Sequence, residues 1–115
     1  YRAEMYQTDK EVYDALKTYF NDKKIIMVMA MLKDKEYEKC IRTIAPVVDT
    51  FIATEAKNPR KATADEIAET AKKYISNVYA EADINKAVEY AKTISDHNTV
   101  ICICGSLYLL GDVDI

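Results

Sequence analysis

The stretch Ile25-Ile26-Met27-Val28-Met29-Ala30-Met31 decides the fold class of this chain. Seven consecutive apolar residues are too few for a typical helix, and they leave no polar face that could contact water. A short strand that is apolar on both faces is typical of the centre of a parallel sheet covered by helices on both sides. We therefore predict a central parallel strand over residues 25–31.

Helical patterns surround this strand on both sides in the sequence. Capping boxes at Thr8 and Thr63 and an N-cap at Asp83 predict that three helices begin at these residues, and the first is expected to end near Asn21. A fourth amphipathic helix, over residues 37–45, is expected to stop before Pro46. Each of these segments carries one apolar stripe that can cover a sheet.

Three further strands are predicted, over residues 47–54, 77–82 and 99–104. Strands that alternate with helices require right-handed crossovers and a mainly parallel sheet. We therefore predict an α/β, Rossmann-like domain with helices on both faces of the sheet. A chain of 115 residues fits one such domain, which we expect to cover residues 1–115.

Composition excludes several classes of function. The 19 acidic and 16 basic residues are interspersed and give a net charge of −3, so no surface is expected to bind nucleic acid. The apolar run 100–104 is far shorter than a membrane helix, and the N-terminus has no signal-peptide pattern. Three cysteines are too few for a secreted disulfide scaffold, so we expect a cytoplasmic protein.

Polar residues follow the predicted strands at their carboxyl ends, where sheets of this type bind ligands. Asp34 and Lys35 follow the first strand, Arg60 lies in the loop after the second, and Gly105 and Ser106 follow the last. A glycine permits close approach of a ligand to the backbone, and free N–H groups at a helix start favour a carboxylate or phosphate. From loop position alone, helix capping explains Asp34 and Lys35, and a surface ion pair explains Arg60, as well as ligand binding does; an N-cap is the simpler role for Ser106.

Other candidate sites carry less information. Neither a Gly-x-Gly-x-x-Gly fingerprint nor a Gly-x-x-x-x-Gly-Lys-Ser/Thr phosphate loop is present in the sequence. His97 precedes the last strand, at the opposite edge of the sheet, where it could not reach a substrate at the carboxyl edge. Cys102 and Cys104 share one face of that strand; two buried thiols are expected there rather than a metal site.

Three motifs in these loops resemble the folylpolyglutamate synthase family. Residues 105–108, Gly-Ser-Leu-Tyr, are similar to a signature near the end of these enzymes. Residues 30–36, Ala-Met-Leu-Lys-Asp-Lys-Glu, resemble the family's Gly-Met-Leu-x-Asp-Lys-Asp, with Ala and Glu at the first and last positions. Residues 58–62, Asn-Pro-Arg-Lys-Ala, resemble its Pro-Arg-Ala loop. The chain is thereby identified as similar to the C-terminal domain of these enzymes, which belong to the Mur ligase superfamily.

The resemblance implies a part in an ATP-dependent ligase that adds glutamate to folate through an acyl phosphate. In the family this domain closes over an ATP-binding domain and helps to hold the nucleotide and the incoming glutamate. Carried onto this sequence, Asp34 and Lys35 would bind nucleotide, and Arg60, Gly105 and Ser106 would bind glutamate.

The family's phosphate loop, Mg²⁺ ligands and folate site belong to its N-terminal and central regions. We therefore expect no metal to be held by this domain and no ligase turnover from the isolated chain. The family also has Asp-Gly-Ala-His-Asn where the spacing places residues 1–5 of this chain, Tyr-Arg-Ala-Glu-Met, and only Ala3 matches. The nucleotide contacts of that motif are not carried over.

Two alternatives remain open from the sequence. The chain could be a free-standing, non-catalytic binding module that has lost the ligase active site. It could also come from the cell-wall Mur ligases, which share the fold and an Asn-Pro-Arg motif, although residues 105–108 resemble the folate enzymes more closely.

Overall fold

The computed structural model describes residues 9–33 and 36–105. Helices and strands alternate along them, with one additional short 3₁₀ helix. In chain order the elements are α1 (Asp9–Tyr19), β1 (Lys24–Ala30), α2 (Tyr37–Ile44), the 3₁₀ helix (Ala45–Val47), β2 (Thr50–Ala53), α3 (Ala64–Ala71), β3 (Val78–Ala80), α4 (Ile84–Ile94) and β4 (Thr99–Gly105).

The four strands form one sheet in the order β3-β2-β1-β4, and every neighbouring pair is parallel. β1 is central: six of its seven residues are buried, as the apolar run that they form predicts. It pairs with β2 through Ile26 and Thr50 and with β4 along its whole length, from Lys24 beside Thr99. The predicted α/β class and parallel sheet are confirmed.

Helices cover both faces of the sheet. On one face, α1, α2 and α3 pack against the alternate β1 side chains Ile25, Met27 and Met29. On the other, α4 packs against Ile26 and Val28 of the same strand. The two-residue period of a strand sends its successive side chains into two different cores. β1 therefore contributes side chains to the hydrophobic cores on both faces of the sheet.

Capping residues predicted from the sequence determine where α3 and α4 begin. The Thr63 hydroxyl accepts a hydrogen bond from the Glu66 N–H at 3.1 Å, and the Glu66 carboxylate accepts one from the Thr63 N–H at 3.2 Å. The Asp83 carboxylate accepts from the N–H groups of Asn85 and Lys86. Both caps are confirmed, whereas the predicted cap at Thr8 lies outside the described residues.

The predicted second strand was too long by three residues at its start and by one at its end. β2 begins only at Thr50, because the chain continues from α2 into the 3₁₀ helix, whose first turn tolerates Pro46. Val48 then donates its N–H to the Ala45 carbonyl at 3.2 Å, and the Asp49 carboxylate accepts the Ile25 N–H at 2.9 Å. The β-branched valines favour a strand only where a partner strand is available.

The other boundaries shift by one or two residues. α1 ends at Tyr19 rather than near Asn21, and β1 is one residue earlier than predicted at both ends. β3 comprises Val78–Ala80 rather than residues 77–82, although Glu81 still donates a hydrogen bond to the Ala53 carbonyl. β4 continues to Gly105, one residue beyond its predicted end. Shifts of this size are common where helices and strands fray.

Candidate ligand site at the carboxyl edge of the sheet

The strand order creates a topological switch between β1 and β4. From β1 the chain proceeds outward to β2 and β3, and it then returns to the other side of β1 to form β4. Loops leaving two such strands diverge, which opens a crevice beyond their carboxyl ends. In the register of the two strands Ala30 lies beside Gly105. The loop after β1 and the end of β4 therefore meet at this crevice.

A second loop, residues 58–62, is joined to the loop after β1 by backbone hydrogen bonds. Lys33 donates its N–H to the Arg60 carbonyl at 2.8 Å, and Ala62 donates to the Met31 carbonyl at 2.9 Å. Leu32 and Lys61 lie between these bonds as an isolated antiparallel bridge. Residues from the three sequence motifs, which are far apart in the chain, are thus neighbours at one edge of the sheet.

The loop that carries Arg60 is also ordered from within. The Asn58 side-chain oxygen accepts the Arg60 N–H at 2.8 Å, and the Asn58 carbonyl accepts the Lys61 N–H at 3.0 Å. Asparagine forms such turns because its side chain reproduces a backbone acceptor. The Arg60 side chain is exposed. A guanidinium at this position can form two parallel hydrogen bonds with a carboxylate or phosphate.

An ion pair beneath this loop joins Glu55 to Lys61. One Glu55 oxygen accepts from the Lys61 ammonium group, and the other accepts the Ala64 N–H at 2.9 Å, in the first turn of α3. The Glu55 side chain is 15% exposed and that of Lys61 is 40% exposed. The hydrogen bond from Lys61 lowers the pKa of Glu55, and the Ala64 N–H acts in the same direction against the opposing effect of burial.

Charges on the rim are arranged around the start of α3. Lys33 lies 4.0 Å from the Glu66 carboxylate, and both side chains are largely exposed. The hydrogen bond from the Thr63 N–H lowers the pKa of Glu66. The rim thus carries the cations Lys33, Arg60 and Lys61; Lys33 lies near Glu66, and Lys61 pairs with Glu55.

The predicted site residues fall into two groups. Arg60 and Gly105 are described, and the bonds above place their backbones next to the loop after β1. Asp34, Lys35 and Ser106 lie outside the described residues, as do residues 1–5.

Sequence reasoning did not find the Glu55–Lys61 pair. The two residues are six positions apart in an irregular loop, where no helical or strand periodicity indicates which side chains meet. The sequence shows only that Glu55 directly follows a predicted strand and that Lys61 precedes the capping box at Thr63. These positions indicate polar loop residues, but they do not identify partners.

A cavity of about 360 Å³ lies at the opposite edge, at the amino ends of the strands. It is lined by Lys24, Ile26, Asp49, Thr50, Asn77, Tyr79, Ile94 and Thr99. Ligands of parallel α/β sheets bind at the carboxyl ends, so we assign the functional site by topology rather than by this cavity. His97, in the turn before β4, belongs to this amino edge, as predicted.

The two strand cysteines behave as core residues. Cys102 and Cys104 are partly buried against the same hydrophobic cluster, which confirms that they share one face of β4. Within residues 9–33 and 36–105, no group of three or more His, Cys, Asp or Glu side chains could hold a metal ion. The helices in these residues also include none that is long and apolar enough to cross a membrane.

Comparison with known proteins relates this arrangement to one family. The sequence profile described as "Mur ligase, glutamate ligase domain" matches residues 8–107. Among curated proteins, the dihydrofolate synthase/folylpolyglutamate synthase of Bacillus subtilis (strain 168) is 23% identical over 104 residues. That match covers 90% of this chain but 24% of the relative, so the chain spans about a quarter of the relative's length.

Solved structures show the same fold. The folylpolyglutamate synthase of Mycobacterium tuberculosis complexed with ADP and AMPPCP superimposes with a TM-score of 0.81 at 21% identity, over 90% of this chain and 26% of that one. A bifunctional folylpolyglutamate synthase/dihydrofolate synthase with Mn, AMPPNP and L-glutamate bound gives 0.73 at 21% identity, over 88% and 23%. The resemblance to folylpolyglutamate synthases noted from the three motifs is thereby confirmed.

Proposed function

The chain belongs to the Mur ligase, glutamate ligase domain family, and we propose that it is the C-terminal domain of an ATP-dependent ligase that adds glutamate to folate. In this proposal the carboxyl edge of the sheet contributes to binding the incoming glutamate and the nucleotide. An ATP-binding domain on the same polypeptide supplies the phosphate loop.

One observation supports the proposal most strongly. The Arg60 loop is hydrogen-bonded to the loop after β1, and the end of β4 lies beside the last residue of β1, where that loop begins. These three segments carry the motifs that resemble the folylpolyglutamate synthases, and their meeting point is the switch between β1 and β4 where α/β sheets bind ligands. The bound L-glutamate of the related bifunctional enzyme identifies an amino acid as the ligand to test first.

Each site residue has a chemical task in this proposal. Arg60 binds a carboxylate of glutamate through two hydrogen bonds, a geometry that lysine cannot reproduce. Gly105 and Ser106 contribute backbone N–H groups and a hydroxyl to the same ligand. Asp34 and Lys35, on the loop that Arg60 contacts through its carbonyl, bind the nucleotide.

The proposed reaction proceeds in two steps. A folate γ-carboxylate oxygen attacks the terminal phosphorus of ATP, ADP leaves, and an acyl phosphate forms. The amine of glutamate then attacks the acyl carbon, the amide bond forms as a proton is lost, and phosphate leaves. Activation is needed because a free carboxylate is a poor electrophile. The domain's task is to position glutamate for the second step.

In this proposal the phosphate loop and the metal site belong to the ATP-binding domain, and the present domain contributes further contacts to the nucleotide. The described residues of this chain provide cations at the carboxyl edge, which suit the phosphates of ATP, and no cluster of metal ligands. A divalent cation such as Mg²⁺, bound by the ATP-binding domain, would neutralise phosphate charge during transfer. The isolated 115-residue chain is therefore expected to show no turnover.

The proposal is tested by following oxygen from the acceptor carboxylate. A polypeptide that contains this domain with its ATP-binding domain is incubated with ATP, L-glutamate and folate labelled with ¹⁸O in the γ-carboxylate. We expect ADP release that requires folate, and one ¹⁸O atom in the phosphate product. If glutamate is added to folate without transfer of ¹⁸O, the acyl-phosphate route is wrong; if no glutamate is added, the ligase proposal is wrong.

A further inference from the structure

The carboxylate of Glu55 is a junction between three segments of the carboxyl edge. Glu55 directly follows Thr54, the buried residue just after β2, whose N–H donates to the Met29 carbonyl of β1 at 2.9 Å. Its two oxygens accept hydrogen bonds from the Lys61 side chain and the Ala64 N–H. Glu55 thereby connects the sheet, the Arg60 loop and the first turn of α3.

The loop around Arg60 is held from two sides. On one side, backbone bonds join it to Met31 and Lys33; on the other, the Lys61 side chain reaches down to Glu55. Arg60 lies between these attachments, next to Lys61 in the chain. A long arginine side chain loses conformational entropy when it binds a ligand. If the backbone of the loop is already fixed, binding costs no further backbone entropy.

Most of Glu55 is removed from water, unlike the carboxylate of the exposed Glu69–Lys72 pair. Its side chain is 15% exposed, whereas Glu69, which pairs with Lys72 on α3, is 74% exposed. A pair that is shielded from solvent is screened less and holds its geometry better than an exposed pair. The Glu55–Lys61 pair is thus suited to fix a loop, and the Glu69–Lys72 pair is not.

We propose that Glu55 is a positioning residue for Arg60, acting through Lys61, and that it sets the affinity of the site for the carboxylate of the incoming amino acid. This inference rests on the proposed function, in which Arg60 binds glutamate. Glu55 does not contact the substrate in this account. Its effect is to keep the Arg60 backbone next to the loop after β1.

The test compares Glu55→Gln with the matched substitution Glu69→Gln in the ligase polypeptide that carries this domain. Glutamine can still accept the Ala64 N–H but cannot form the ion pair with Lys61. We expect the KM for L-glutamate to rise by about tenfold in Glu55→Gln, with kcat and the KM for ATP little changed. Glu69→Gln is expected to leave all three values unchanged. Lys61→Gln provides a second variant that removes the ion pair from the other side.

A double-mutant cycle separates positioning from general stability. If Glu55 acts through Arg60, then Glu55→Gln has no further effect on the glutamate KM once Arg60→Ala is present. A rise in KM that is the same in both backgrounds, or a fall in kcat together with melting temperature, overturns the positioning role. So does an unchanged or lowered KM in both Glu55→Gln and Lys61→Gln.

The same cycle distinguishes this inference from the proposed function. If Arg60→Ala alone leaves the glutamate KM unchanged, the proposed contact between Arg60 and glutamate is wrong and the positioning role falls with it. If Arg60→Ala raises the KM while Glu55→Gln does not, the proposed function stands and only the positioning role is wrong.

Discussion

Replacing Thr63 by alanine tests how strongly the capping box fixes the start of α3. The substitution removes the hydroxyl that accepts the Glu66 N–H at 3.1 Å. The reciprocal bond, from the Thr63 N–H to the Glu66 carboxylate at 3.2 Å, uses the backbone and can persist. Only one of the two bonds is therefore lost, and one N–H of the first turn is left to water.

The expected cost follows from this count. Loss of a threonine N-cap destabilises a protein by about 1 kcal/mol, within a range of roughly 0.5–2 kcal/mol. The site is partly exposed, so water can satisfy the freed N–H and the upper part of the range is not reached. For a chain of 115 residues, about 1 kcal/mol corresponds to a fall in melting temperature of about 4 °C.

Urea unfolding of the chain, followed by circular dichroism, measures the change. Thr70→Ala is the matched control, because Thr70 is also a partly exposed threonine of this segment but donates its hydroxyl to the Glu66 carbonyl within the helix. Alanine favours a helix interior, so this control is expected to be neutral or slightly stabilising. Equal free energies of unfolding for the two variants, at an unchanged m-value, would refute the capping argument.

Three other changes test the core and the charges. Ile67→Ala, at a position that is 0% exposed, should cost about 2–5 kcal/mol in urea unfolding, and a loss below about 1 kcal/mol would contradict its place in the core. Lys72→Ala should change stability by less than about 0.5 kcal/mol, because its pair with Glu69 is exposed; a larger loss would show a contact beyond that pair. The pKa of Glu55 lies below its ordinary value of 4.5, so the stability that its charge contributes is present above that pH and is lost as pH falls. Glu55→Gln should therefore lose less stability than the unsubstituted chain on acidification, and parallel pH profiles would contradict the shift.

Patterns with a regular period or a local hydrogen bond were readable from the sequence. The apolar run in residues 25–31 predicted the central strand, and its burial on both faces in β1 confirms the reasoning. The capping boxes and caps act within three residues, so Thr63 and Asp83 could be assigned without knowledge of the fold. The parallel sheet followed from the alternation of elements.

Features that depend on a tertiary partner were not readable. Val47 and Val48 have strand-forming side chains, but the 3₁₀ turn that begins at Ala45 includes Val47 and binds the Val48 N–H, so β2 begins only at Thr50. The order of the strands, with β4 beside β1, is likewise set by packing and not by local sequence. The same limit concealed the Glu55–Lys61 pair, whose partners meet only when the loop is folded.

For the candidate site, the positions of the residues could be predicted from the sequence, but their roles could not. Topology and loop chemistry selected Arg60 and Gly105, and the strand register and loop hydrogen bonds bring their segments together. The roles of these residues came from resemblance to a family, because a polar loop residue is equally well explained by capping or by a surface ion pair.

The most direct measurement is the KM for L-glutamate of Arg60→Ala in the ligase polypeptide, with Arg42→Ala as the control. Arg42 is an exposed arginine in the last turn of α2, remote in sequence from the Arg60 loop. Loss of hydrogen bonds to a charged ligand should raise the KM by about 10- to 100-fold in Arg60→Ala, with no change in Arg42→Ala. An unchanged KM in Arg60→Ala, in an enzyme that still adds glutamate to folate, would contradict the assignment of this edge as the glutamate site.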